Sequence, residues 1–97
     1  MVEEIENKLT DQLFDAVLAL EDKEECYKFF RDIATVGEIE SLSQRLEVAR
    51  MLKQGVTYEK IVEETGVSTA TISRVKRALE YGEGGYNVIL ERLGIEE

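Results

Sequence analysis

An all-α fold of six short helices is what this 97-residue sequence predicts, and three observations predict it. Apolar residues recur three and four positions apart in successive stretches, the spacing of one helical face, and no run alternates as a strand would. Proline is absent, and the seven glycines, at 37, 55, 66, 82, 84, 85 and 94, read as punctuation between those stretches. Asp, Thr or Ser stands at the start of several of them, where a side-chain oxygen can satisfy the free N–H groups of a first turn. A chain of this length has material for one core, so residues 1–97 are expected to form a single domain.

The first helix is expected from about Thr10 to Leu20, because Leu9, Leu13, Phe14, Val17 and Leu18 share a face. Asp22, with Glu25 three positions on, resembles a capping box and opens the second helix, in which Cys26, Phe29, Phe30 and Ile33 line up. The third spans about Glu38 to Gln54 and carries Ile39, Leu42, Leu46, Ala49 and Leu52 at near-heptad spacing before Gly55 stops it. Thr57 caps a short fourth helix, YEKIVEET, which Gly66 ends, and Ser68 caps the fifth, TATISRVKRALEY. The last, YNVILERL, places Tyr86, Ile89, Leu90 and Leu93 on one face.

Composition narrows the chemistry. The net charge is −9, but it is unevenly placed: residues 45–77 hold seven Lys/Arg against four Glu, a local +3, and the remainder carries −12. A basic central third suits a polyanion, while acidic flanks favour solubility and suppress promiscuous binding. Histidine is absent, which removes the commonest general base and metal ligand. Cys26 is the single cysteine and sits in an apolar stripe among acidic neighbours that disfavour a thiolate, so it reads as structural. The carboxylate pairs Glu24/Glu25 and Glu63/Glu64 are adjacent on helices and do not face each other. No catalytic residue, metal site or cofactor is expected. Neither a signal peptide nor an apolar run near the roughly 20 residues of a membrane span is present, so a soluble cytoplasmic protein with no membrane partner is expected.

The apolar stripes of the first, second, third and last helices exceed what two short central helices can cover. A homodimer that shares these stripes resolves the excess; a compact six-helix monomer is the alternative.

Residues 57–80 have the form of a helix-turn-helix. Gly66 falls at the turn, where the chain takes a positive φ, and Ile61, Val67, Ile72 and Val75 are spaced to pack the two helices together. Val62 departs from the small residue usual at its position. With Ile72, Val75 and Leu79 turned inward, Thr69, Ala70, Ser73, Lys76 and Arg77 face outward. Short side chains first and long cations later suit a helix, residues 68–80, entering the major groove by its N-terminal end. Thr69, Ala70 and Ser73 are the candidate base readers. Ser68, Lys76 and Arg77, with Lys53 and Lys60, are the candidate phosphate contacts. Helix pairs of this kind also serve as protein-binding modules, so docking on a transcription component is the alternative function.

The segment SLSQRLEVARMLKQGVTYEKIVEETGVSTATISRVKRALEYG, with EECYKFFRDIAT before it, resembles the Trp repressor superfamily, in particular its bacterial YerC/YecD-type subgroup. The likeness runs from about Leu9 to Leu93. It implies an intertwined, all-helical homodimer with two helix-turn-helix heads, and a DNA-binding transcriptional regulator, expected to be a repressor, that reads double-stranded DNA at a near-palindromic operator with half-sites about 34 Å apart or a multiple of that. In the tryptophan-responsive members a corepressor lies between the central helices and the recognition helix. Thr35, Arg45, Thr71 and Arg74 match polar positions of that pocket. Val75 stands where the pocket has a glycine against the indole, and Ala78 replaces a serine that helps hold the ligand's amino group. The extra carbons of Val75 occupy the space an aromatic ring would need, so no tryptophan response is expected. Arg45 and Arg74 have the chemistry to clamp another carboxylate or phosphate, with local salt bridges as the equal alternative, which leaves any effector unidentified.

Overall fold

The computed structural model describes residues 5–95; residues 1–4 and 96–97, the ends of the expected 1–97 domain, lie outside the described residues. Six α-helices follow in order: α1 (Lys8–Leu18), α2 (Lys23–Ile33), α3 (Val36–Lys53), α4 (Tyr58–Thr65), α5 (Thr69–Tyr81) and α6 (Gly85–Arg92). Among the described residues there is no strand, and no helix is long and apolar enough to cross a membrane. The chain divides into two compact units, one ending at Val36 and the other beginning at Gly37.

The N-terminal unit holds α1 and α2. Asn7 caps α1, its side chain accepting from Thr10 N at 3.0 Å, so the helix starts two residues before the sequence-based start at Thr10. The helix also ends at Leu18, short of Leu20. At α2 the expected box forms in modified shape: Asp22 accepts from Glu25 N at 2.9 Å, while the Glu25 carboxylate reaches back to Glu21 N, also at 2.9 Å. Within α2 the Phe29 and Phe30 rings meet edge to face at 5.5 Å, and the Arg31 guanidinium lies 5.3 Å from the Tyr27 ring centre. No residue of either helix is buried, and Leu9 and Leu18 are 79% and 83% exposed.

The C-terminal unit contains the whole buried core of the described residues: Val48, Ala49, Met51, Ile61, Val67, Ile72, Val75 and Leu90. Leu52, Val56, Leu79, Tyr86 and Ile95 pack against its edge. The helix ends that frame this core are closed by the chain itself. Val56 N bonds back to Met51 O at 3.0 Å and Ile95 N to Leu90 O at 2.9 Å, the six-to-one bonds that satisfy the last carbonyls of α3 and α6. α3 starts at Val36, upstream of the expected Glu38, because Gly37 is carried within its first turn rather than ending a segment. Its apolar residues also serve two directions. Val48, Ala49 and Met51 are buried, whereas Leu42 and Leu46 of the expected stripe remain exposed, so the stripe and the intrachain core share only part of one face.

The C-terminal end of α5 is tightly built. A Cβ on Gly82 would collide with the backbone carbonyl oxygen of Ala78 and lie 3.1 Å from its carbon. Backbone cannot swing aside as a flexible side chain can. Gly66, by contrast, has open space around its missing Cβ and only a left-handed φ of +74° to recommend glycine. Gly66→Ala is expected to cost about 1 kcal/mol of unfolding free energy, and Gly82→Ala more, as read by denaturant titration. Equal losses would contradict the close approach at residue 82.

Candidate nucleic-acid interface

The helix-turn-helix is assembled by caps and four buried side chains, Ile61, Val67, Ile72 and Val75. Thr57 accepts from Lys60 N at 3.2 Å and starts α4. Thr65, in its last turn, donates to Ile61 O at 2.7 Å and accepts from Val67 N at 3.2 Å, holding the chain through Gly66. Ser68 starts α5, its hydroxyl oxygen accepting from Thr71 N at 3.2 Å. Ile61 and Ile72 are fully buried and Val75 nearly so. Because Ile72 and Val75 lie on one side of α5, the helical repeat fixes what lies on the other. Ser68, Thr69, Ala70, Ser73, Lys76 and Arg77 are all exposed.

The cations of the basic segment separate into two groups. Arg50 is engaged within α3: its guanidinium forms two hydrogen bonds to Glu47, at 2.7 and 2.8 Å, and one to Gln54 at 2.6 Å. Those bonds hold the Glu47 carboxyl below its ordinary pKa and push that of Arg50 up. Lys60 lies 3.6 Å from Glu64 along α4. The other five are Arg45, Lys53, Arg74, Lys76 and Arg77. Arg77 is on the outward face of α5, and the remaining four line two cavities that flank that helix.

One cavity, of about 220 Å³, is lined by Arg45, Thr71, Arg74, Val75, Ala78 and Tyr86. It brings together five of the six residues named as a candidate effector pocket. The sixth, Thr35, belongs to the N-terminal unit. Tyr86 was not anticipated there; its only sequence signal is a place on the apolar stripe of the last helix. Val75 is both a wall of this cavity and a member of the core.

The second cavity, about 440 Å³ and open, is lined among others by Lys53, Tyr58, Lys76, Leu79, Glu80 and Asn87. The Lys76 ammonium lies 5.8 Å from the Tyr58 ring centre, a cation–π arrangement that leaves its N–H groups able to meet an anion. Lys53 donates to Asn87 Oδ1 at 3.0 Å. Tyr58 and Asn87 are further residues that spacing alone did not single out.

The sequence matches the family described as Trp repressor protein over residues 8–94. This chain belongs to the Trp repressor family. Within it, the chain is 58% identical over 92 residues to the uncharacterised protein YerC of Bacillus subtilis, covering 95% of this chain and 88% of that one, which supports the YerC-type group. A crystal structure of a candidate Trp repressor from Staphylococcus aureus is 57% identical, with a TM-score of 0.94 over 99% of this chain and 96% of the other. A TrpR-like protein from Eubacterium eligens is 53% identical, with a TM-score of 0.93 over 98% of each chain. The six-helix architecture described above is thus the Trp-repressor-like fold.

Removing the Ser68 cap tests the local construction. Ser68→Ala is expected to lower stability by about 1 kcal/mol in thermal or denaturant unfolding, and Ser68→Gly by only a few tenths. A larger loss in the glycine variant would show that the hydroxyl is not acting as the cap.

Proposed function

We propose that the protein is a sequence-specific DNA-binding transcriptional regulator, a homodimer that represses by occupying a near-palindromic operator and does so without tryptophan. The observation that carries this reading is the division of α5 into a buried side, Ile72 and Val75, and an exposed side of Thr69, Ala70 and Ser73 followed by Lys76 and Arg77. The short residues of the first turns let the backbone approach base edges, their hydroxyls donate or accept, and the alanine methyl suits a thymine methyl. Lys76 and Arg77, with Ser68 and the N–H groups of the first turn, supply phosphate contacts, and Lys53 and Lys60 extend them.

Dimerisation follows from the uncovered apolar surface. Leu9, Phe14, Leu18, Ile33, Leu42 and Leu93 are all exposed in the isolated chain, and a second copy that covers them completes a single interlocked domain from both. Two heads related by two-fold symmetry then meet successive major grooves about 34 Å apart. Membership in a family of regulators and the surface chemistry of α5 both favour this reading over an enzyme.

The Val75 side chain supports a reader that works without tryptophan. It fills from the core outward the space where a bare backbone would admit an indole, and Ala78 offers no hydroxyl to an amino group. Arg45 and Arg74 remain on the wall and leave room for a different anion.

A protein-docking role for the same helix pair is the second reading, favoured by the −12 carried outside residues 45–77. The double variant Lys76→Glu/Arg77→Glu separates the two: loss of retention on immobilised duplex DNA is expected, with retention by the wild type falling steeply as salt rises. Wild-type binding indifferent to salt would count against the DNA reading. Sedimentation equilibrium should give a dimer, converted towards monomer by Leu9→Glu/Leu18→Glu. Titration calorimetry with L-tryptophan should give no micromolar binding, and such binding would overturn the role assigned to Val75.

A further inference from the structure

Asn87 stands in the first turn of α6, half-buried, between two groups that each admit only one hydrogen-bonding role. Its Oδ1 accepts from the Lys53 ammonium at 3.0 Å, and its Nδ2 donates to the main-chain carbonyl of Leu79 at 3.1 Å. An ammonium can only donate and a carbonyl can only accept, so the partners themselves fix which way the amide faces. Lys53 is the last residue of α3, and Leu79 belongs to the last turn of α5, where carbonyls lack a partner within the helix. One side chain therefore ties three helix ends together. The positive charge of Lys53 also polarises the amide and strengthens the N–H it offers to Leu79.

Resting on the reading of α5 as the helix that enters DNA, we propose that Asn87 is a positioning residue that sets the angle at which α5 is presented, and so determines sequence selectivity without touching DNA. Ile72 and Val75 hold the middle of α5 to the core, and Asn87 holds its C-terminal end. Thr69 lies six residues from Val75, about 9 Å along the axis. A tilt of about 10° around that middle would displace the first turn by roughly 1.5 Å, more than a hydrogen bond to a base edge tolerates. Long, flexible cations reaching phosphates accommodate such a shift, so general affinity survives where selectivity does not.

The test compares wild type with Asn87→Ala and with Asn87→Leu, which keeps the volume but removes both hydrogen bonds. Affinities are measured by fluorescence anisotropy for the duplex enriched from a random library by the wild type and for a scrambled duplex. Thermal unfolding confirms that each variant is folded. Amide hydrogen exchange in the full-length protein is followed at Glu80, Tyr81 and Gly82. Both variants are expected to lose at least tenfold in the ratio of enriched to scrambled affinity, with scrambled binding within about threefold of wild type, and to exchange at least tenfold faster in that last turn alone. An unchanged ratio, or equal losses on both duplexes, would overturn the proposal. If the wild type enriches no duplex, the reading of α5 itself fails, and the exchange rates then judge the strut separately: no local acceleration overturns that too.

Discussion

The arrangement depends on the burial of Ile72 and Val75 in the core formed with Ile61, Val48 and Met51. α5 has few ways to satisfy two apolar residues three apart, and once they face the core the opposite side is determined by the helical repeat. Thr69, Ala70 and Ser73 are exposed because of where their neighbours are buried, not through any preference of their own. The caps at Thr57 and Ser68 and the left-handed turn at Gly66 set the ends of the two helices, and the core sets their rotation. The exposed row of short side chains on α5 is in this sense a by-product of packing.

Electrostatics refines that surface. Pairing with Glu47 ties Arg50 within α3 and Glu64 lies 3.6 Å from Lys60, while Arg45, Lys53, Arg74, Lys76 and Arg77 stand around α5. Exposed pairs of this kind add little to stability. The same neighbourhood holds two cavities on α5, one with Arg45 and Arg74, the other with Lys53 and Lys76. The Val75 side chain belongs to both the first cavity's wall and the core, so the packing that fixes the rotation of α5 also shapes that cavity.

Much of the fold was legible because helix starts carry chemical marks. Asp22, Thr57 and Ser68 all act as the caps their residue types suggested, and Gly66 ends α4 in the conformation a turn glycine should have. Errors arose where a glycine or a missing mark misled. Gly37 has the mark of a break but is accommodated inside α3, and α1 starts from an Asn7 cap ahead of its apolar stripe and ends at Leu18 without a glycine to mark the stop. The stripe along α3 was visible, yet periodicity cannot say which of its residues serve the intrachain core; Leu42 and Leu46 do not. In the site, the exposed face of α5 followed from spacing, whereas the Lys53–Asn87–Leu79 connection joins residues 34 positions apart and leaves no local pattern. Tyr58 and Tyr86 likewise have the spacing of ordinary apolar positions, and only the folded chain brings them to the cavities they line.

The most direct test of the account is selection of purified protein on random duplex DNA at near-physiological salt with no small molecule added. Enrichment of a two-fold symmetric site, abolished by changing Ser73 and Arg77, is the predicted result and would establish an autonomous dimeric reader acting through α5. Failure to enrich any sequence, with and without a metabolite extract, would contradict it.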